Sequence, residues 1–530
     1  MTSAKFPAKN TSISDALKFI GDYIEQRDLD KNKNNELMLI SEELMLKIIA
    51  VSKKDTEIEI QLIRRLNDIK IRFECAGNKA NLEITEEDDI SGRILSEYAE
   101  KIRQYYKHGC NIVEILVWSS ASQNLQTNLN VTAIGTVIGL VLHYIFFYGS
   151  NYEFVDEMLF VPVYGYINIF KLFSPIAACL ILAFFTSELI MKISGNKGIM
   201  KLGRKYTITS LICIVWGALV GDVIYRNITT LLIDESYEAM YESIIGNSII
   251  DFLRNIIPLN ILEPFEQNNP LPMLVIAIIF GLTVATMYGE KGFKVKSALD
   301  TAAEFMGSEL HLIYQIFPLI LLFAVADVVF NFGLYAIPIF VGYNLISVVA
   351  LAAVILLYIV RLRTNGINVK EFFNNYKEII KENFKIGSNK DAYFYNKRML
   401  RKKTSLSDSE LEDGLQLGVI MNMDGNCVMI TVIIISVASL KMLTVPEMIE
   451  VLILVLLLSL GTPNQPGSLL VAPVILFSLF NLSEDYFNLL IIAEAFTGKS
   501  YSFINSLGDI VSIAIFDKKK RDEKNKLSLS

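Results

Sequence analysis

Two carboxylates carry the chemistry this sequence can do. Asp424 stands in Asn422-Met423-Asp424-Gly425, inside an otherwise apolar stretch from about Leu415 to Leu443, and Asp509 stands in a second apolar stretch over 487–515. A charged side chain at mid-membrane depth costs about 2.5–3.5 kcal/mol on insertion scales, so a chain keeps one only where it faces a partner, a cavity or an ion. Small hard cations such as sodium take oxygen ligands, which makes a cation site the economical reading of the pair. Gly425 and the amides of Asn422 and Asn426 are what a helix interruption needs if backbone carbonyls are to turn toward an ion. The plainer alternative has each carboxylate capping a broken helix or pairing with Lys499.

The elements that must position these groups can be read from hydropathy. The 530 residues are 52% hydrophobic with mean hydropathy +0.41, yet charges fill the first 125 residues. Most of the chain beyond residue 125 comes in apolar runs near twenty residues, the length that crosses about 30 Å of hydrocarbon. The chain therefore reads as a soluble α+β domain over 1–125, a membrane domain over 126–516 and a cytoplasmic tail over 517–530. Apolar spans fall at about 130–149, 167–191, 207–226, 250–287 with breaks, 311–338, 342–361, 415–443, 448–482 with a break, and 487–515.

Flanking charges alternate in sign as a threaded chain requires. Lys192, Lys197, Lys201, Arg204 and Lys205 lie in one connection, Glu153, Asp156 and Glu157 in the one before, and Lys518, Lys519, Lys520 and Arg521 come after the last span. Both termini thus fall on the cytoplasmic side of a cell membrane, and no secretory signal opens the chain. The five cysteines are scattered without metal-type spacing, and a net charge of −7 leaves no basic stripe for nucleic acid.

Two segments are not simple spans. After Met448–Leu460, the run Gly461-Thr-Pro-Asn-Gln-Pro-Gly467 breaks any helix, and an apolar arm resumes at Ser468; each arm is too short to cross alone, as in a re-entrant hairpin. Asn368–Met399 is amphipathic and turns at Gly387-Ser-Asn-Lys-Asp391, where an inverted repeat would place the matching hairpin. The sum is about eight transmembrane helices plus two re-entrant hairpins.

In the front domain, Ile13–Ile24 and Glu36–Val51 have helical spacing. Ile58–Leu62, Ile69–Cys75 and Val113–Val117 alternate as strands, and Asp89–Tyr106 reads as a further helix. This order resembles the ATP-binding fold of histidine kinases and anti-sigma factors. Where that family has Glu-x-x-x-Asn and Asp-x-Gly, this chain has Glu43 with Lys47 and Cys75-Ala-Gly77, without the metal and adenine ligands. The domain is read as a degenerate relative with a regulatory or interaction role, and the protein as no enzyme.

Across about 128–516 the resemblance is to the dicarboxylate/amino acid:cation symporter family, the glutamate transporter homologues. It rests on Asn422-Met-Asp-Gly425, Ser459-Leu-Gly-Thr462 with Pro466-Gly467, Asn505-Ser-Leu-Gly-Asp509, and Ile256-Ile-Pro-Leu-Asn260 through Leu271-Pro272 to Ile279-Phe-Gly281. The resemblance implies a homotrimer and sodium as the bound ion. One sodium site is implied at backbone oxygens of Gly418, Asn422 and Asn505 with Asp509, and a deeper one at Tyr206, Thr209, Ser210, Asn422 and Asp424. A third is implied at carbonyls of Ser459, Leu460 and Thr462, closed by Ile420 and Met423. Hydroxyls in membrane helices also commonly just bond the preceding turn.

The solute side departs from the family. Gly498 and Tyr501 stand where acidic-amino-acid carriers have an aspartate for the amine and an arginine that forks onto the distal carboxylate. Asn426 replaces a threonine, and Ser388, Asn389, Lys390 and Asp391 replace a serine-rich tip. Candidate solute contacts are Ser388, Asn389, Asn426, Gln465, Pro466, Gly467, Gly498, Tyr501, Ser502 and Asn505, with Lys499 expected to snorkel or pair with Glu494. The leading expectation is a sodium-coupled symporter of a small organic solute, of the amino acid or carboxylate class, with elevator-type alternating access. The alternative is a solute sensor signalling through residues 1–125.

Overall fold

In the computed structural model the chain forms two compact units, Met1–Ala121 and Ser122–Ser530. The structure describes residues 2–25, 31–52, 56–65, 68–77, 102–107, 109–117, 125–147, 149, 151–193, 197–227, 256–258, 260–266, 269–287, 289–438, 445–462, 467–480, 482 and 484–529.

The first unit holds β1 (Thr2–Pro7), α1 (Ile13–Glu25), α2 (Lys31–Val51), β2 (Glu57–Arg65), β3 (Asp68–Ala76), β4 (Ile102–Lys107) and β5 (Cys110–Val117). The strands make one antiparallel sheet in the order β1-β2-β3-β5-β4. Alternation decides which face is buried. Ile58, Ile60 and Leu62 of β2 and Ile71 and Phe73 of β3 turn onto Ile20 of α1 and Ile40, Leu44 and Ile48 of α2, all within one apolar cluster. Burying each stabilises the unit by about 1.5–3 kcal/mol. Cys75 lies in the same layer, where burial pushes its thiol up.

The expected helix Asp89–Tyr106 is corrected at its end. Ile102–Lys107 is an edge strand, with Tyr105 and Tyr106 opposite Ile112 and Asn111, and the Tyr105 hydroxyl donates to Glu114 at 2.9 Å. Aromatic residues suit a pleated, half-buried position, and here that outweighs the helical spacing. Residues 89–101 lie outside the described ones. Strand β1 had no clear alternation to announce it.

The second unit is helical throughout. Its helices are α3 (Leu125–Phe146), α4 (Tyr152–Ile193), α5 (Lys197–Asn227), α6 (Glu263–Glu266), α7 (Pro270–Thr286), α8 (Gly289–Tyr314), α9 (Phe317–Phe332) and α10 (Ala336–Thr364). The chain continues through α11 (Val369–Ile386), α12 (Asn389–Arg401), α13 (Asp408–Met421), α14 (Asp424–Ala438), α15 (Val445–Gly461), α16 (Ser468–Leu479) and α17 (Phe487–Leu529). Among the described residues five helical stretches are long and apolar enough to cross a membrane: Leu125–Phe146, Tyr152–Lys192, Gly198–Asn227, Phe317–Thr364 and Asp408–Val437.

Helix boundaries obey local chemistry. The stretch expected as one span over 311–338 is divided, because Pro318 opens α9 and Gly333, at φ +56°, ends it. Likewise Gly387, at φ +64°, ends α11 and turns the chain into α12. The interrupted span expected from 250 is described from residue 256, and after the single turn of α6 a longer helix begins at α7, capped by Asn269.

Close helix contacts are made through glycines four apart. On α3, a Cβ at Gly135 would lie 2.9 Å from the Leu322 carbonyl oxygen of α9, and one at Gly139 would lie 2.6 Å from that of Ala326. On α5, one at Gly217 would lie 2.7 Å from the Val428 carbonyl oxygen of α14, and one at Gly221 2.8 Å from Ile435 Cβ. In lipid there is no hydrophobic drive between helices, so such small-residue seams let backbones approach and dispersion hold them. The second seam matters for function, since α5 carries Ser210 and α14 begins at Asp424.

Gly139→Ala should cost about 1–3 kcal/mol, because a carbonyl cannot step aside as a flexible side chain can. Gly165→Ala, on α4 with nothing near the added carbon, should be neutral or stabilise by about 0.5–1 kcal/mol. Thermal melting of the detergent-purified protein reads both; equal effects would refute the seam.

Candidate functional site

The site is built on the break between α13 and α14. A capping box of Ser407 and Glu410 starts α13, and Asn422, at φ −87° and ψ 72°, leaves it with its N–H donated to the Gly418 carbonyl at 2.8 Å. The chain re-enters helix at Asp424, so this carboxylate sits in the first turn of α14, where the helix dipole favours negative charge. Asp424 is completely buried. Its Oδ1 accepts Ser210 Oγ of α5 at 2.8 Å, and its Oδ2 accepts the Tyr358 hydroxyl of α10 at 2.8 Å. Tyr358 also reaches the Ile504 carbonyl of α17 at 3.2 Å.

Asp509 on α17 faces the same break. Its Oδ1 accepts Asn422 Nδ2 at 2.9 Å, and that nitrogen also donates to the Asn505 carbonyl at 2.6 Å. Gly418 lies against it; a Cβ there would be 2.7 Å from Asp509 Cγ. Asn422 Oδ1 is buried with no hydrogen-bond partner among the described residues. Tyr206 is buried too, with the charges of Asp509 and Asp424 acting on its hydroxyl.

Neither Asp424 nor Asp509 makes an ion pair within 4.0 Å among the described residues. Hydroxyls, amides and backbone carbonyls surround two carboxylates instead, and no three His, Cys, Asp or Glu side chains gather among the described residues. That donor set suits a single-charged hard cation better than a divalent or transition metal.

Asn505 ties the break to the α15 arm. Its Oδ1 accepts the Gly425 N–H at 2.8 Å, and its Nδ2 donates to Asn426 Oδ1 at 2.8 Å and approaches Met423 Sδ at 3.8 Å. Asn426 Nδ2 reaches Thr462 Oγ1 at 3.4 Å, joining α14 to the end of the α15 arm. Thr462 Oγ1 donates to the Ser459 carbonyl at 2.9 Å, and Ser459 Oγ accepts Cys427 Sγ at 3.4 Å. Ile420 is buried beside the break and Leu460 half-buried on α15.

At the start of the α16 arm, Gly467, at φ +87°, donates its N–H to Glu494 Oε1 at 2.9 Å, and Ser468 Oγ and the Tyr501 hydroxyl share a 2.8 Å hydrogen bond. Gly498 is buried and Ser502 is 8% exposed, both on α17 with Asn505 and Asp509. Ser388 and Asn389 are buried at the α11–α12 turn, and Asn389 Oδ1 accepts Ser506 Oγ at 3.2 Å. Gln465 and Pro466 lie outside the described residues, as do the side chains of Lys390 and Asp391.

Of the two expectations for Lys499, pairing with Glu494 is not met. Its stem lies against Gly387, a Cβ there being 3.0 Å from Lys499 Cγ, while Glu494 takes the Gly467 N–H. Thr209 donates to the Lys205 carbonyl at 2.8 Å, the bond to the preceding turn that such hydroxyls commonly make, and its oxygen keeps its lone pairs.

Sequence reasoning missed Tyr358, Ser468, Glu494 and Ser506 as members. Tyr358 looks like one more aromatic in an apolar span. Gly508 offered a signal, being the glycine beside Asp509: a Cβ there would lie 2.8 Å from Tyr358 Cζ, so only glycine lets that ring reach Asp424.

A multi-pass helical bundle closing on an oxygen-lined, charge-bearing helix break is the form of a membrane carrier rather than an enzyme. A family profile described as the sodium:dicarboxylate symporter family matches residues 129–519, and the chain belongs to that family. It is thus a symporter of a small organic solute. Among its relatives, the C4-dicarboxylate transport protein of Erwinia tasmaniensis is 24% identical over 369 residues, covering 67% of this chain and 85% of that protein. The C4-dicarboxylate transport protein of Aeromonas salmonicida is 24% identical over 366 residues, covering 66% and 84%.

Tyr358→Phe removes a hydrogen bond to a charged group, worth about 1.5–3 kcal/mol, so solute uptake should fall about tenfold or more. Gly508→Ala should lose at least as much, since its methyl would meet both the Tyr358 ring and Asn422 Nδ2, and the double variant should lose less than the product of the two. Independent, multiplying losses in purified, reconstituted protein would show that the two do not act together.

Proposed function

We propose that the protein is a sodium-coupled secondary symporter that carries a small organic solute of the amino acid or carboxylate class by elevator-type alternating access. The observation that carries this reading is the pair Asp424 and Asp509, buried at one helix break and held by hydroxyls and amides rather than by ion pairs. Such a pair is stable in lipid once a cation neutralises it. Sodium near Asp424 and Asp509 would fix Asn422 and Asn505, and through Asn426 and Thr462 would order the 463–467 tip over a solute near Asn505, Asn426 and Ser502.

The two helix pairs α11–α12 and α15–α16 act in this reading as re-entrant hairpins within a membrane domain of residues 126–516. A homotrimer in the cell membrane with both termini cytoplasmic completes it. With Tyr501 hydrogen-bonded to Ser468 where a guanidinium would otherwise fork onto a carboxylate, the solute is held by hydroxyl, amide and backbone groups. The relatives' names place carboxylates first among the solutes to test.

A second reading, a solute sensor, is favoured by the first unit, which has its own five-stranded sheet and buried core. There residues 1–125 would act as a regulatory or interaction domain with no nucleotide.

Uptake of a panel of dicarboxylates and amino acids into proteoliposomes, with an inward sodium or potassium gradient, tests the proposal. Accumulation should require sodium, fall at least about tenfold in Asp424→Asn, and persist after deletion of residues 1–121. Flux indifferent to sodium for every solute would refute coupling, and binding without accumulation would favour the sensor.

A further inference from the structure

Arg361 belongs to the last turn of α10, where a basic residue ordinarily reaches to water or to the lipid surface. Its neighbour Arg363 is exposed in that way. Arg361 instead turns inward. Its Nη2 donates to Ser512 Oγ of α17 at 3.0 Å, its guanidinium carbon lies 5.8 Å from the centre of the Tyr358 ring, and its Nη1 is buried with no hydrogen-bond partner among the described residues.

Each of these contacts leads to the cation site. Tyr358, one turn before Arg361, holds Asp424, and Ser512 lies one turn beyond Asp509. The positive charge of Arg361 acts on Asp424, and the same charge acts on Tyr206 and Tyr358. Yet Arg361 makes no ion pair within 4.0 Å among the described residues. It contributes charge without occupying the oxygens.

We propose that Arg361 is a tethered counter-charge of this site, standing in for one monovalent cation and so lowering the number of ions the carrier must bind. Two carboxylates and one guanidinium leave a single net negative charge, which one sodium ion balances. Without the guanidinium the same cluster would hold two negative charges in lipid and would bind cations more tightly and in greater number.

This inference rests on the sodium reading of Asp424 and Asp509, and the test separates the two. Sodium-dependent thermal stabilisation of the full-length protein in detergent, titrated at constant ionic strength against choline, gives the half-saturating concentration. The reversal of solute flux against set sodium gradients in proteoliposomes gives ions per solute. Arg361→Gln should lower half-saturation about tenfold and raise the ratio by one, whereas Arg361→Lys and Arg363→Gln should keep wild-type values. If Arg361→Gln does not yield monodisperse protein, Arg361→Met, which retains the packing stem, carries the same expectation.

A wild-type sodium response left unchanged or weakened by loss of the guanidinium overturns the counter-charge and leaves the coupling intact. A chain that answers to sodium in neither form overturns the coupling itself.

Discussion

The constraint that organises this molecule is the cost of holding Asp424 and Asp509 away from water. Bare carboxylates in hydrocarbon would be expelled or neutralised, so the surrounding helices exist in part to supply partners. Ser210 and Tyr358 take the two oxygens of Asp424, Asn422 takes Asp509, and each donor comes from a different helix or from the break itself. The packing is thereby tied to the chemistry. Moving any of α5, α10 or α17 by a fraction of an ångström strands a charge.

That dependence explains where the glycines are. Gly217 and Gly221 bring α5 close enough for Ser210 to reach Asp424, Gly418 leaves space for Asp509, and Gly508 leaves space for Tyr358. Elsewhere in the bundle Gly135 and Gly139 do the same for α3 on α9, with no carboxylate at stake. The same small-residue device serves stability in one seam and site geometry in the other.

A second consequence is that Asn505 is shared across the break. It gives its carbonyl to Asn422 and its side-chain amide to Gly425 and Asn426, and Asn426 continues to Thr462 at the α15 arm. In the proposed reading an ion that held Asn422 would also hold Asn505, Asn426 and Thr462, which leads into the 463–467 tip. Glu494 does for that tip what Ser210 does for the break: it gives a buried polar group, the Gly467 N–H, a partner. Tyr501, hydrogen-bonded to Ser468, stands where the resemblance would put an arginine, so in the proposed reading a solute there would be recognised by hydroxyl and amide geometry rather than by charge.

Local sequence determined a good deal here, because some requirements are local. Period-two alternation announced β2, β3 and β5, and a glycine–proline run, a Gly387 turn and the Asn422–Gly425 break announced where helices must stop. Acidic residues inside apolar stretches announced the site. What tertiary structure decided is which distant groups meet: Tyr358 with Asp424, 66 residues apart, and Arg361 with Ser512, 151 apart. A tyrosine or an arginine near the end of an apolar helix looks the same in sequence whether it faces lipid, water or a carboxylate. Only helix packing fixes its direction. The edge strand β4 was lost for the same reason, since pairing with β5, not the spacing of its own residues, makes Ile102–Lys107 extended.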